Sequence, residues 1–195
     1  MQLSQRAVNR AGVAFSVSDI IVVTPDMPRD TFHFALRAAR HFRAPVLVGA
    51  DAPGCFTQKD VSMCDILSVD AATATALCGR EIRTPGDASR CAARLLQLGA
   101  GAVAIYLADR GIFAAASPDE PSYIPLLTGQ KADRHYAKSA FDAGLAWALT
   151  LGYKLPEAVW IGASCSTAIR PDVKNPFESL PLIEELIESQ SVELF

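Results

Sequence analysis

An α/β fold, with a mostly parallel sheet covered by helices on both faces, is predicted by three features of this sequence. Short apolar runs alternate with longer stretches of helical periodicity. The runs are rich in Val, Ile, Leu and Ala and almost uninterrupted by polar residues, as strands buried on both faces are. Pro or Gly stands at most of the junctions between them.

The first 17 residues are weakly patterned and read as a tail or a partial strand. Residues 19–24 form a β-branched run ended by Pro25, a first strand. Pro28, Arg29 and Asp30 open a helix to about Phe42, with Phe32, Phe34, Ala35, Ala38, Ala39 and Phe42 as its apolar stripe. Residues 45–50 are the second strand and Asp51 to Gly54 a turn. A third strand over residues 65–69 runs into a helix that starts at Asp70 and closes at Gly79. Pro85 starts another helix, lined inside by Ala92, Ala93, Leu95, Leu96 and Leu98. Residues 102–107 are the fourth strand, and residues 111–115 pair back on it as a hairpin arm. A loop follows over residues 117–121, by its proline and acid content. Residues 137–150 are the most helix-like segment, a second helix follows Pro156, and Arg170-Pro171 stops it. Residues 180–187 form a short terminal helix.

With 195 residues the chain has room for one full α/β domain, so residues 1–195 are read as a single unit. Its net charge of −3 and scattered basic residues leave no electrostatic footprint for nucleic acid. No apolar run approaches the ~20 residues of a membrane span, and the N-terminus lacks the apolar region of a signal peptide. A soluble, cytoplasmic protein is expected, without nucleic-acid or membrane partners. Five cysteines, without a C-x-x-C pair, are expected to be reduced and mostly buried rather than bridged or zinc-bound. Three histidines make a His-based metal site improbable.

Three landmarks in sequence order carry a more specific resemblance. Residues 65–69 lead through Asp70-Ala71-Ala72-Thr73 into a helix ending in Cys78-Gly79. Residues 103–111 run from a strand through Tyr106-Leu107-Ala108 to Gly111 and a hairpin arm. Residues 133–144 follow, without gaps, the frame Asp-Thr-x-Gly-Ala-Gly-Asp-x-Phe-x-x-Gly. Over residues 18 to 190 the chain thus resembles the C-terminal part of the ribokinase-type (PfkB) carbohydrate kinases. The resemblance implies a three-layer α/β/α fold without that family's N-terminal part and β-lid.

In that family the glycine-rich stretch opens a helix N-terminus toward the transferring phosphoryl group, and its Asp is the general base. Here Tyr136 and Lys138 stand for the glycines, and Ser139 for the base. A serine hydroxyl needs a neighbour to deprotonate it. Asp142, one turn on, is the candidate substitute base, with a solvated or paired carboxylate as its other role, and His135 is an exposed loop histidine or a base. Asp133, Ala137, Lys138, Leu107 and Gly111 are the matched nucleotide- or anion-binding candidates. For Asp133 a cap or loop anchor stays open as the other role, and for Lys138 an ordinary solvated lysine. The family's Asn-x-x-Glu motif supports magnesium, but here Thr73 takes the place of the Glu and only Asp70 keeps a carboxylate. Tyr106 is expected to fill nucleotide space.

Two main functions follow from the resemblance, beside a small-molecule sensor that binds a nucleotide or sugar without turnover. One is a kinase-fold protein without turnover, acting as a binding, regulatory or structural subunit. The other is an ATP-dependent sugar or nucleoside kinase completed by a partner chain or by displaced residues. No cofactor is assigned on the residues alone, and ATP and Mg2+ belong to the second reading only. Loss of the N-terminal strands would leave a sheet edge for a protein partner or a second copy to cover.

Overall fold

Side-chain alternation along each strand lets one sheet serve two helical layers. The computed structural model describes residues 3–52, 56–125, 136–169, 182–185 and 187. Its strands are β1 (Ile21–Val23), β2 (Val46–Ala50), β3 (Ile66–Asp70), β4 (Ala102–Tyr106), β5 (Ile112–Ala116) and β6 (Ser122–Ile124). They stand in one sheet in the order β1-β2-β3-β4-β5-β6, with β1 to β4 parallel and β5 and β6 antiparallel. On β2, Val46, Val48 and Ala50 enter one core while Leu47 enters the other, and Val103 and Ile105 oppose Ala104 in the same way on β4. The three-layer architecture expected from the sequence is therefore present.

The first core lies under α3 (Arg29–Phe42), α4 (Ala71–Cys78) and α5 (Pro85–Gln97). On α3 the buried stripe is Thr31, Phe32, Ala35, Leu36 and Ala39, so Leu36 takes the place expected of Phe42, which is 37% exposed. Arg43 ends α3 in the left-handed conformation. The start of α5 is a capping box: Thr84 Oγ1 accepts from the N–H of Asp87, and the Asp87 carboxylate accepts from the N–H of Thr84 at 2.9 Å. Asp87 Oδ2 also accepts from the Thr84 hydroxyl at 2.8 Å, and this bond, with the backbone one, holds the Asp87 carboxyl down at about 2. On α5, Ala88, Cys91, Ala92 and Leu95 are buried, whereas Ala93 faces outward. Asp60 ties the β2–β3 connection to α3. It is 2% exposed, accepts from the Thr57 N–H at 2.9 Å and its hydroxyl at 2.7 Å, and meets His33 Nε2 at 2.7 Å. Burial would raise its carboxyl, but Thr57, His33 and Arg29 together bring it below the usual range.

The second core lies under α6 (Ala137–Thr150) and α7 (Leu155–Ala168), whose axes meet at two glycines. A Cβ on Gly144 would stand 2.7 Å from Cys165 Sγ, and one on Gly162 would stand 2.8 Å from the Phe141 carbonyl oxygen. Bare backbone at both points is what permits the close approach.

Three elements correct the sequence reading. Residues 5–17, expected as a tail or partial strand, are two short helices, α1 (Gln5–Arg10) and α2 (Gly12–Val17), packed on α3 with Val8 as the buried anchor. Residues 122–124 add β6 beyond the expected hairpin arm. Cys78 and Cys91, expected as reduced thiols, are joined as a disulfide that staples α4 to α5. Cys64 and Cys165 are free among the described residues, and burial raises both thiols. Residues 182–185 and 187 are helical, in line with the terminal helix, while Cys55, Arg170 and Pro171 lie outside the described residues. No described helix is long and apolar enough to cross a membrane.

Candidate functional site

The parallel strands end together at one rim of the sheet, which in open α/β folds is where ligands bind. Asp70 closes β3 there beside Tyr106 of β4, and the first turns of α6 lie across β2 and β3 just below. Of the residues singled out from the sequence, Lys138 and Asp142 come together just below this rim, and Ser68, which the sequence did not single out, joins them.

At its centre is a buried ionic network. Lys138, on the first turn of α6, points down the helix and into the interface instead of out to water. Its ammonium donates to Asp142 Oδ1 at 2.7 Å, to Asp142 Oδ2 at 2.6 Å and to Ser68 Oγ at 2.9 Å. Ser68 in turn donates to Asp142 Oδ1 at 2.5 Å. Lys138 and Asp142 are each 7% exposed and Ser68 is fully buried. Burial pushes the Asp142 carboxyl up, with the Lys138 ammonium and the Ser68 hydroxyl pulling against it and the nearby Asp51 adding to the rise. Gly49 on β2 makes room for the carboxylate, since a Cβ there would stand 2.5 Å from Asp142 Oδ2. The four positions are thus interdependent: a helical i,i+4 pair, a strand hydroxyl and a strand glycine.

The remaining candidates fall around this network. Ser139, at the position of the family's base, is exposed and makes no side-chain hydrogen bond to the described residues. Tyr136 is the N-cap of α6 without a side-chain cap bond, and it is 58% exposed. Ala137 is buried. Asp70 is the N-cap of α4 and accepts from the Thr73 N–H at 2.7 Å, so its carboxylate serves the helix. Thr73 Oγ1 is buried without a hydrogen-bond partner among the described residues. Leu107 belongs to the core on the opposite side of the sheet from α6. Gly111, at φ +99°, brings the hairpin against the Ile124 carbonyl oxygen and leaves no room for a side chain. Ala108 replaces the first glycine of the family's turn yet keeps a left-handed φ of +54°, at a cost of roughly 1–2 kcal/mol. Tyr106 lies on the α6 side, its ring 5.7 Å from that of Phe141 and its hydroxyl 2.8 Å from Ser166 Oγ of α7. Asp133 and His135 lie outside the described residues.

The sequence left Lys138 as a solvated lysine or an anion holder, and Asp142 as a displaced base or a solvated or paired carboxylate. The structure neutralises each with the other. Their four-residue spacing was visible in advance, but burial of that face over Ser68 and Gly49 was not. Among the described residues no group of three His, Cys, Asp or Glu side chains converges to hold a metal ion.

No family model and no curated protein matches the chain. Solved structures do. The ribokinase of Arabidopsis thaliana, complexed with ribose and ATP, superposes with a TM-score of 0.79 at 19% identity over 96% of this chain. Ribokinase from Thermotoga maritima gives 0.76 at 20% identity over 95% of the chain, and Escherichia coli phosphofructokinase-2 with fructose-6-phosphate gives 0.71 at 16% over 95%. This chain spans only 60%, 61% and 63% of those three proteins. Fold topology, the order of the landmarks and these superpositions agree: the chain carries the three-layer α/β/α fold of the ribokinase-type (PfkB) sugar kinases, over a span of about three fifths of their length.

Proposed function

We propose that this protein is a kinase-fold subunit without phosphoryl-transfer activity, working by binding another protein chain. The observation that carries the reading is the Lys138–Asp142–Ser68 network. A base must hold a free carboxylate toward the attacking hydroxyl, and the carboxylate nearest the family's base position is closed off by an ammonium and a hydroxyl. A phosphate site at a helix N-terminus draws on bare N–H groups and net positive charge. Here the side chain of Lys138 starts at a position where the family has no side chain, and its charge is already neutralised. The residues also do not fit a magnesium ion: Asp70 caps α4 and Thr73 carries no charge. Loss of a positioned base alone lowers rates by ~10²–10⁴-fold.

The test is direct. Titration of the pure protein with ATP·Mg, alone and with ribose or fructose-6-phosphate, is expected to leave its melting temperature unchanged, because a ligand that binds the native state must raise it. No ATP turnover is expected, and the triple change Tyr136→Gly, Lys138→Gly, Ser139→Asp is expected to restore none. ATP turnover by the unmodified chain, abolished by Asp142→Asn, would overturn the reading and favour a kinase that uses a displaced base.

The binding role is supported by the β1 side of the molecule. β1 is a three-residue edge strand with Val22 45% exposed, and the adjoining α2 buries none of its residues, leaving Val13 78% and Val17 75% exposed. An open edge with apolar neighbours is a template for pairing. Sedimentation of the pure chain is expected to show self-association, or binding of an apolar dye that a partner would suppress. A monodisperse monomer with little dye binding would remove this part of the proposal.

A further inference from the structure

On the far side of the sheet from α6, the disulfide lies in a cleft that the kinase resemblance does not account for. The cleft, of about 220 Å³, is lined by Cys78 and Cys91 together with Arg80, Arg90 and Arg94. Glu81 and Asp87 also line the cleft, but both are engaged: Glu81 pairs with Arg83 at 2.6 Å, and Asp87 completes the capping box and pairs with Arg90 at 2.7 Å. Arg80 and Arg94 have no ion-pair partner among the described residues, and both side chains are exposed. The cleft is therefore cationic around a sulfur–sulfur bond. The two sulfurs are not equivalent, because Cys78 is half-buried and Cys91 is 4% exposed.

We propose that this cleft is a site of reversible S-thiolation, at Cys78, by a small anionic thiol of the glutathione class. Exchange begins when a thiolate attacks one sulfur of a disulfide in line with the other. The incoming thiolate reaches the more accessible Cys78 Sγ and forms a new S–S bond with it. The Cys78–Cys91 bond breaks, and its electron pair leaves on Cys91 as a thiolate. Arg90 and Arg94 flank Cys91 in sequence, and Arg94 stands three residues on, near the same helical face, so a guanidinium is placed to stabilise that leaving group. A second thiolate then attacks the mixed disulfide at the small molecule's own sulfur. This releases Cys78 as a thiolate and the oxidised small disulfide, so two thiols are oxidised and one protein disulfide is reduced. The carboxylates of the thiol give Arg80 and Arg94 their counter-charge, which selects an anionic thiol over a neutral one.

The experiment compares glutathione with 2-mercaptoethanol at equal thiolate concentration, acting on the full chain. Reactions are quenched in acid, and adducts are located by peptide mass spectrometry. Glutathione is expected to react about ten-fold faster, an advantage of the order that electrostatic steering supplies and that salt should erode. The adduct is expected on Cys78. Arg80→Gln with Arg94→Gln should abolish the advantage, and Arg94→Gln alone should also slow 2-mercaptoethanol by removing the charge beside the leaving thiolate; both positions are exposed, so the variants should melt like the parent. Equal rates for the two thiols, an adduct on Cys91, or an advantage that survives loss of both arginines would each overturn the proposal.

Discussion

Asp142→Ala is expected to destabilise the fold by about 3–5 kcal/mol, because it strands the Lys138 ammonium in the α6–sheet interface. Against a total stability of typically 5–15 kcal/mol, such a change leaves the protein near its folding threshold at room temperature. Urea unfolding monitored by circular dichroism would measure it. The triple replacement Lys138→Met, Asp142→Leu, Ser68→Ala removes both charges and the buried hydroxyl bonded to them, and it is expected to lie within about 1 kcal/mol of the parent or above it. Lys138→Met alone behaves differently, since the remaining carboxyl can take up a proton. Burial already pushes Asp142 above its ordinary 3.8, and removal of the ammonium leaves that push less opposed. A raised carboxyl binds protons more tightly when folded than when unfolded, so stability falls as pH rises through the window above 3.8. The Lys138→Met variant should therefore be more stable at pH 5 than at pH 8. An Asp142→Ala protein within 1 kcal/mol of the parent would show that the network does not hold α6 in place.

The second large effect is expected at Phe141. Its side chain is fully buried, its ring faces Tyr106 at 5.7 Å, and it presses on the bare backbone of Gly162 in α7. Phe141→Ala removes the ring from the junction of sheet, α6 and α7, and is expected to cost about 3–5 kcal/mol through lost burial and the cavity left behind. Near-ultraviolet circular dichroism should fall as Tyr106 loses its neighbour, and chemical denaturation should give the energy. A loss below 1 kcal/mol would mean that α7 collapses to fill the space, contrary to the rigid seating that Gly144 and Gly162 imply.

Legibility in the sequence followed burial. The strands β2, β3 and β4 were readable because nearly all their buried residues are apolar, and α6 was readable to its ends because its inward faces, Lys138 and Asp142 apart, are apolar over four turns. α1 and α2 were not readable, since only Val8 among them is buried and a single anchor makes no period. β6 is three residues long with one buried side chain, which is too little pattern to distinguish from a loop. The disulfide depends on two helices crossing at one point, and a sequence separation of 13 does not encode that. The rim residues were identified by their place in the family frame, and their chemistry was not. Substitution of a glycine by Lys138 was plain, but whether its ammonium turned to water or to Asp142 depended on Ser68 and Gly49, both far away in the chain.

The sheet also bears on how this polypeptide is assembled as it is made. Its strands stand side by side in the order of their synthesis, so each newly emerged strand can dock on the one just before it without waiting for distant sequence. Growth can thus proceed vectorially from the amino end on the ribosome. α6 and α7 are exceptions, reaching back 74 residues from Asp142 to Ser68 and 60 from Ser166 to Tyr106, and they act as a late clasp that locks a sheet already laid down.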